Sequence, residues 1–380
     1  MLEISNSIKT LDDSDIGDNL FYYPYSIRHI VSLQKNNIDQ ESGEYLSAYR
    51  SFEGEVFENF MYEKLIRYAQ NHPDITDFIR KGPHAKPTQA LPDTLSVNSK
   101  GQIVYRTRNN EIGEFDSLIF AGDILYFVEM TLVKSITKLK RRLRKKKALL
   151  ESIFPRNTIK ALIILNEGAT GMNMFPDYCT VWLTKPYTSA KIFDRLKNNP
   201  KQKRKPFEAI ESENIIEATM LRINKLNYYG SLSWILKTAR ASKHTILDMK
   251  FLKDKKTTRF IDLYTKIYIG VMTEKEFLNC YPDFKGKLTD EIIVSIEKEH
   301  TDALVLTYFV SHSRKNLDNI VIKDGVAKAV KKDPFGITVT EVKHMQKAME
   351  YGSYHLTCDE ISTIERLLAI DNKNSLTGSN

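Results

Sequence analysis

The sequence predicts an α/β fold in which helices flank a mixed sheet, followed by a mainly helical C-terminal domain. Residues 53–69 place apolar side chains at spacings of three and four, which is typical of an amphipathic helix. Between residues 102 and 131, apolar runs are separated by short turns, which predicts antiparallel strands. A basic amphipathic helix over 132–154 then leads into an apolar run at 158–165, and this order predicts a crossover within a mixed sheet.

The boundaries of these elements follow from local signals. Pro73 ends the first helix and Pro155 ends the basic helix, because the residue before a proline disfavours helical backbone. Asn109-Asn110 and Ala121-Gly122-Asp123 mark turns between strands. The predicted strands are residues 102–107, 112–120, 124–131, 158–165 and 179–184.

Composition indicates two or three globular domains in a chain of 380 residues. Hydrophobic residues make up 42% and charged residues 27%, which excludes a mainly disordered chain. Changes of pattern predict an N-terminal extension (1–50), an α/β domain (51–195), a basic linker (196–206) and a mainly helical domain (207–380). The helices of the last domain are expected at residues 207–223, 231–242, 257–271, 273–278, 289–308 and 339–351.

Cysteine usage and hydropathy bear on the compartment. Cys179, Cys280 and Cys358 lie far apart without a CxxC motif, which argues against a disulfide framework and predicts a reducing, cytoplasmic location. Delivery into a host cell or a nucleus is the alternative. No apolar run approaches the roughly 18 residues of a membrane span, and the acidic, polar N-terminus is unlike a secretory signal.

Two carboxylates are expected to meet across the last hairpin. Residues two apart on a strand face the same side, so Asp116 lies on the face of Glu114. Glu129 and Thr131 share a face for the same reason. If the hairpin turns near Gly122, Asp116 comes opposite or nearly opposite Glu129. Two carboxylates at a sheet edge can bind a hard divalent cation, whereas the simpler alternative pairs Glu129 with a surface lysine.

The order of these motifs resembles the PD-(D/E)XK nuclease superfamily over residues 51 to about 185. The segments that carry the resemblance are GEVFENFMYEKLI, GEFDSLIF, LYFVEMT, the basic helix and KALIILN. The resemblance implies a restriction-endonuclease-like fold and hydrolysis of phosphodiester bonds with Mg²⁺ or Mn²⁺ as the cofactor. DNA is preferred over RNA as the expected substrate, and a homodimer is a further expectation because many nucleases of this fold act as dimers.

The resemblance assigns roles to individual acidic residues. Glu58 matches the glutamate of the family's first helix, which binds metal or orients water. Asp116 matches the hairpin aspartate, the main metal ligand, and Glu129 matches the second acidic ligand. Glu55 and Glu63 are alternatives for the helix glutamate.

The sequence departs from the family pattern at one position. Thr131 stands where the family has a lysine that positions water and stabilises charge in the transition state. A threonine hydroxyl can form hydrogen bonds but supplies no positive charge. Lys134 is the expected substitute, because it opens the following helix and has a long side chain.

The basic helix is the second feature that favours a polyanionic partner. The net charge of the chain is +8, and residues 201–205 (KQKRK) add a second basic cluster. A basic helix face can follow a phosphate backbone, although a solvated helix face, a nuclear-localisation-like patch or contact with acidic lipid are alternatives. The predicted nucleic-acid-binding residues are Lys138, Lys140, Arg141, Arg142, Arg144, Lys145, Lys146 and Lys147.

The sequence therefore predicts a metal-dependent endonuclease. Motifs for histidine zinc sites, P-loops and nucleophile elbows are absent from the sequence. The alternative is a catalytically inactive nuclease-fold protein that binds nucleic acid or another protein, for example a bacterial effector. In both cases the C-terminal domain is the expected contact for a protein partner.

Overall fold

The chain divides into two compact units, Met1–Leu226 and Asn227–Asn380. The computed structural model describes residues 16, 18–86, 92–107, 111–133, 136, 139–184, 189–198, 206–227, 230–232, 234–235, 252–299, 301–310, 318–323, 326–330 and 355–377.

Helices and strands of the first unit occur in the predicted α/β order. Its α-helices, as far as the structure describes them, are α1 (Arg28–Lys35), α2 (Gly43–Asn71), α3 (Leu139–Ile153) and α4 (Ala190–Asn198). Its strands are β1 (Asp77–Ile79), β2 (Thr94–Val97), β3 (Ile103–Arg106), β4 (Glu111–Phe115), β5 (Ser117–Ala121), β6 (Ile124–Thr131), β7 (Thr158–Asn166), β8 (Cys179–Thr184) and β9 (Ile215–Ile216).

The strands of the first unit form two sheets. The larger sheet has the order β8-β7-β6-β5-β1-β9, and β2-β3-β4 form a small antiparallel sheet. Strands β6, β7 and β8 are parallel, whereas β5 is antiparallel to β6 and to β1. The predicted mixed sheet flanked by helices is confirmed, because α3 connects the parallel neighbours β6 and β7.

The side chains on the two faces of β6 lie in different environments. Tyr126, Val128 and Met130 lie in the core that α2 covers. Since side chains alternate along a strand, Phe127 and Glu129 face the other side of the sheet. Helix α3 contacts β7 and β4. Glu129 is therefore placed beneath a basic helix by the pleat of a buried strand.

The segment predicted as one strand over 112–120 is two strands in different sheets. Strand β4 ends at Phe115 and β5 begins at Ser117, with Asp116 between them. A carboxylate oxygen of Asp116 accepts a hydrogen bond of 2.7 Å from Met130 N, which anchors the junction to β6. The hairpin turns at Gly122, as predicted, with φ at +60°.

The basic helix begins later than predicted. Strand β6 ends at Thr131, whose Oγ1 accepts a hydrogen bond of 3.3 Å from Val133 N. Such a side-chain bond competes with helical pairing, and Val133 is not helical. Helix α3 begins at Leu139, and a bond from Leu139 N to Ile136 O precedes it. Lys134 and Lys138 lie outside the described residues.

Residues 206–226 belong to the first unit and do not form the helix predicted over 207–223. The segment contains β9, which pairs in parallel with β1. Phe78 N donates to Asn214 O at 2.7 Å, and Asn214 Nδ2 donates to Ala69 O at the same distance. Pairing with β1 outweighs the local helical pattern. Residues 201–205 of the predicted linker lie outside the described residues.

The second unit is built around an antiparallel sheet and is not mainly helical as predicted. The sheet has the order β10-β11-β12-β13-β14 in the described residues. Its strands are β10 (Lys266–Thr273), β11 (Glu291–Lys298), β12 (Leu304–Val310), β13 (Asp318–Lys323) and β14 (Val326–Val330). The α-helices with assigned bounds are α5 (Lys255–Tyr264), α6 (Glu274–Cys280) and α7 (Cys358–Thr377).

Of two helix predictions in the second unit, one holds for its first half only and one is wrong. Residues 257–271 contain most of α5 and most of β10, separated by Thr265 in left-handed backbone with φ at +65°. Residues 289–308 contain β11 and most of β12, because the runs EIIVSI and LVLTYFV are rich in β-branched and aromatic side chains. Helix α6 confirms the prediction over 273–278. Residues 339–351 and most of 231–242 lie outside the described residues.

Two further observations concern covalent links and membranes. Cys179, Cys280 and Cys358 are free thiols. In the described part of the chain, no helix combines the length and the apolar character that a membrane crossing requires.

Candidate active site

Asp116 and Glu129 lie side by side at the junction of the two sheets. The register of the hairpin pairs Ser117 with Val128. The next position outward therefore sets Asp116 opposite Glu129, as predicted. Both side chains are buried, and both lie on the sheet face that carries α3, since Lys146 of that helix lies beside each of them.

Helix α2 contributes two further carboxylates to the same cleft. Glu55 and Glu58, three residues apart, line one cleft together with Asp116. Glu58 forms an ion pair with Lys81, whose side chain is almost wholly buried. Burial raises the pKa of Glu58, and repulsion from Asp116 raises it further against the opposing attraction of Lys81.

Lys146 from α3 reaches into the pair of carboxylates. Its Nζ lies 2.7 Å from Glu129 Oε2 and 3.8 Å from Asp116 Oδ1. The ammonium also lies 5.8 Å from the centre of the Phe115 ring. Lys146 thus places a positive charge beside both carboxylates, from a helix and not from β6.

Arg142, one turn before Lys146, contacts the other oxygen of Glu129. The guanidinium nitrogen Nη2 is paired with Glu129 Oε1. Positions four apart share a helix face, so Arg142 and Lys146 project from the same side of α3. Glu129 is therefore covered by a positive charge at each of its two oxygens.

Burial and charge set the protonation of this cluster. Burial raises the pKa of Glu129, and Asp116 raises it further, while Lys146 and Arg142 act in the opposite direction. Burial would lower the pKa of Lys146, but attraction by Glu129 and Asp116 outweighs this effect and raises it. Lys146 accordingly stays protonated at neutral pH.

These side chains surround a cleft of about 400 Å³, here called the carboxylate cleft. The predicted residues that line it are Glu58, Asp116, Glu129, Thr131, Arg142, Lys145 and Lys146. The structure thus brings together the four described residues of the predicted catalytic set, and Lys134 lies outside the described residues. Glu55, an alternative to Glu58, lines the same cleft.

Glu63, the other alternative for the helix glutamate, lies elsewhere. It is fully buried, and its oxygens contact His84 Nε2 at 2.8 Å and Tyr23 Oη at 2.8 Å. Asn19 donates to it at 3.2 Å, and Arg67 forms an ion pair with it. Glu63 is absent from the residues that line the carboxylate cleft, so its partners indicate a structural role.

The seven described residues of the predicted nucleic-acid-binding face do not share one environment. Lys146 is buried in the cleft, which corrects its placement on an exposed face. Lys147 pairs with Glu151, and its ammonium lies 5.1 Å from the centre of the Tyr178 ring. Arg142 and Lys145 are exposed at the cleft. Lys140, Arg141 and Arg144 are half-buried.

Sequence reasoning missed Lys81 and the role of Lys146. Lys146 could have been found, because it falls on the apolar stripe of α3, three residues after Leu143 and four before Leu150. A lysine on a buried stripe requires a buried partner. Lys81 offers no such signal, because its partner Glu58 lies 23 residues away in sequence.

The chain matches no family model, no curated protein and no solved structure. In the described residues, no group of three or more His, Cys, Asp or Glu side chains is arranged as a metal site. The resemblance to the PD-(D/E)XK superfamily and the predicted metal therefore remain predictions, argued from the residues of the cleft.

Proposed function

We propose that the chain is a metal-dependent nuclease that hydrolyses phosphodiester bonds of DNA, with a restriction-endonuclease-like fold in the α/β unit. The observation that carries this proposal is the position of Lys146, 2.7 Å from Glu129 and beside Asp116. Lys146 would provide the positive charge beside the two acidic residues, although Thr131 occupies the position where the family has its lysine. RNA is the second candidate substrate.

The cleft has suitable chemistry for a divalent cation. Asp116 raises the pKa of both Glu58 and Glu129 by repulsion, so a positive charge between these groups is favourable. Asp116 Oδ1 and Glu58 Oε2 accept no hydrogen bond from a described residue, and Mg²⁺ and Mn²⁺ prefer carboxylate oxygens. Asp116 and Glu129 would hold the ion, with Glu58 nearby. A bound ion would activate water and neutralise charge on the phosphate.

The side chains of the cleft have separate roles in this proposal. Lys146 is held in place by burial, and its ammonium stabilises negative charge that develops on the phosphate. Lys81 keeps Glu58 directed at the cleft through their ion pair. Arg142 and Lys145, exposed at the same cleft, attract the nucleic-acid backbone.

We predict that Asp116→Asn and Glu129→Gln remove metal-dependent cleavage, because each takes a negative charge from the cation site. Supercoiled plasmid, single-stranded DNA and RNA are incubated with Mg²⁺, Mn²⁺ or EDTA, and products are followed on gels. The matched control is Asp123→Asn, at the opposite end of the same hairpin and exposed, which keeps the wild-type rate. Full cleavage by both cleft variants, or cleavage in EDTA, contradicts the proposal.

The second candidate function is a nuclease-fold protein that binds nucleic acid or protein without cleavage. Thr131 at the usual lysine position favours it. Wild-type protein that binds labelled DNA but leaves all three substrates intact in both metals would select this alternative. The proposed homodimer and a protein partner of the second unit are tested separately, by light scattering and by pull-down with that unit intact.

A further inference from the structure

The two cations on Glu129 differ in their surroundings. Lys146 has a side chain that is 9% exposed, and it also lies near Asp116. Arg142 has a side chain that is 49% exposed, and Glu129 is its described ion-pair partner. Glu129 is 2% exposed, so it needs a cation beside it, and Lys146 keeps that place when Arg142 moves away. Lys146 is therefore fixed in the cleft, whereas the half-exposed guanidinium of Arg142 can exchange Glu129 for another anion.

Glu129 can serve as a metal ligand through Oε1 only when Arg142 leaves that oxygen. An arginine released at the mouth of the cleft is well suited to phosphate, since its planar guanidinium offers two parallel donors. We propose that Arg142 is an exchangeable latch, which pairs with Glu129 in the free protein and with a substrate phosphate once a divalent cation occupies Glu129. This inference rests on the proposed nuclease function.

The exchange makes metal and nucleic acid bind cooperatively. A cation at Glu129 must displace Arg142, and a phosphate at Arg142 must release Glu129. Binding of either ligand therefore breaks the Arg142–Glu129 ion pair, which opposes binding of the other ligand. By linkage, the metal raises the affinity for nucleic acid by the same factor as nucleic acid raises the affinity for the metal. The latch keeps Glu129 paired with Arg142 while neither ligand is bound.

The metal half of the latch predicts tighter Mn²⁺ binding after loss of the arginine. Arg142→Gln should bind Mn²⁺ roughly two- to fivefold more tightly than wild type without nucleic acid, because a half-exposed guanidinium no longer competes for Glu129 while Lys146 stays in place. Calorimetric titration with MnCl₂ measures this. Lys145→Gln is the matched control, because Lys145 lines the same cleft without a described ion-pair partner. An equal gain in both variants indicates general electrostatics and overturns the latch.

The phosphate half is tested without metal. In EDTA, Glu129→Gln should bind a fluorescein-labelled DNA duplex roughly two- to fivefold more tightly by anisotropy, because Arg142 is released. In the Arg142→Gln background the same substitution should give a smaller gain. Equal gains in both backgrounds overturn the latch.

Failure of the proposed metal site and failure of the latch give different results. Absence of Mn²⁺ binding in wild type and variants contradicts the metal site of the proposed function and the latch with it. Measurable Mn²⁺ binding with no advantage of Arg142→Gln contradicts the latch alone.

Discussion

Lys146→Met is expected to reduce the rate of metal-dependent DNA cleavage by on the order of 10²- to 10³-fold, the loss typical when a preorganised charge stabiliser is removed. The reason is the position of Nζ, 2.7 Å from Glu129 and 3.8 Å from Asp116, where a scissile phosphate would approach the carboxylates. Lys147→Met is the matched control, because its ammonium pairs with Glu151. Initial rates on plasmid at saturating Mg²⁺ measure both variants, and Lys147→Met should stay within about twofold.

A second substitution tests whether Lys146→Met loses cleavage because a charge is lost or because folding is lost. Thr131 lies on the Glu129 face of β6 and lines the same cleft. Thr131→Lys in the Lys146→Met background returns a cation to the usual position, and part of the rate should return. A full rate for Lys146→Met alone, or an equal loss for Lys147→Met, contradicts the assigned role. Thermal melts of each variant show whether a lost rate reflects lost folding.

The sequence was sufficient to predict the acidic half of the site. The bounds predicted for β6 are the observed ones, and the hairpin register sets Asp116 opposite Glu129. Both results follow from local rules, namely alternation along a strand and a turn at Gly122. The local pattern therefore determines which carboxylates can meet.

The basic half of the site depends on how α3 packs, which local rules do not give. The missing lysine at Thr131 directed attention to Lys134, the nearest lysine after the motif. The crossover helix returns over the sheet and brings Lys146 to Glu129 from 17 residues away. A search restricted to neighbours in sequence could not find this contact.

The second unit shows a different reason for failed prediction, namely that its apolar spacing fits both a helix and a strand. Residues 289–308 satisfy helical spacing, but they form parts of β11 and β12, which pair from Ile293 with Phe309 to Lys298 with Leu304. Short apolar runs are compatible with either period, and pairing with a neighbouring strand decides between them. Strand β12 begins six residues after β11 ends, so the error came from the ambiguous period of the two runs and not from a distant partner.

Glu63→Gln is expected to destabilise the first unit by about 3–5 kcal/mol, the usual cost when one partner of a buried ion pair is removed. Arg67 loses its counter-charge, and the contacts of residue 63 with His84 and Tyr23 are weakened. Because this position is buried, water does not replace the lost interactions. Glu44→Gln on the same helix is the control, since Glu44 is exposed, and it should change stability by less than about 1 kcal/mol.

The measurement can be restricted to the first unit by its tryptophan. The chain has two tryptophans, of which Trp182 is buried in the first unit and Trp234 is exposed in the second. In a Trp234→Phe background, urea unfolding followed by fluorescence therefore reports on the first unit. Equal midpoints for Glu63→Gln and Glu44→Gln would show that the buried network contributes no net stability.

The pH dependence of this stabilisation has a fixed sign. Burial would raise the pKa of Glu63, but His84 and Arg67 outweigh burial and lower it from its ordinary value of 4.5. The unfolded chain then binds a proton more readily, so the contribution of Glu63 is complete above the ordinary pKa and is lost as pH falls through the lowered one. The stability difference between wild type and Glu63→Gln should therefore shrink between pH 7 and pH 3. A difference that grows on acidification would contradict the lowered pKa and the ion-pair account of the network.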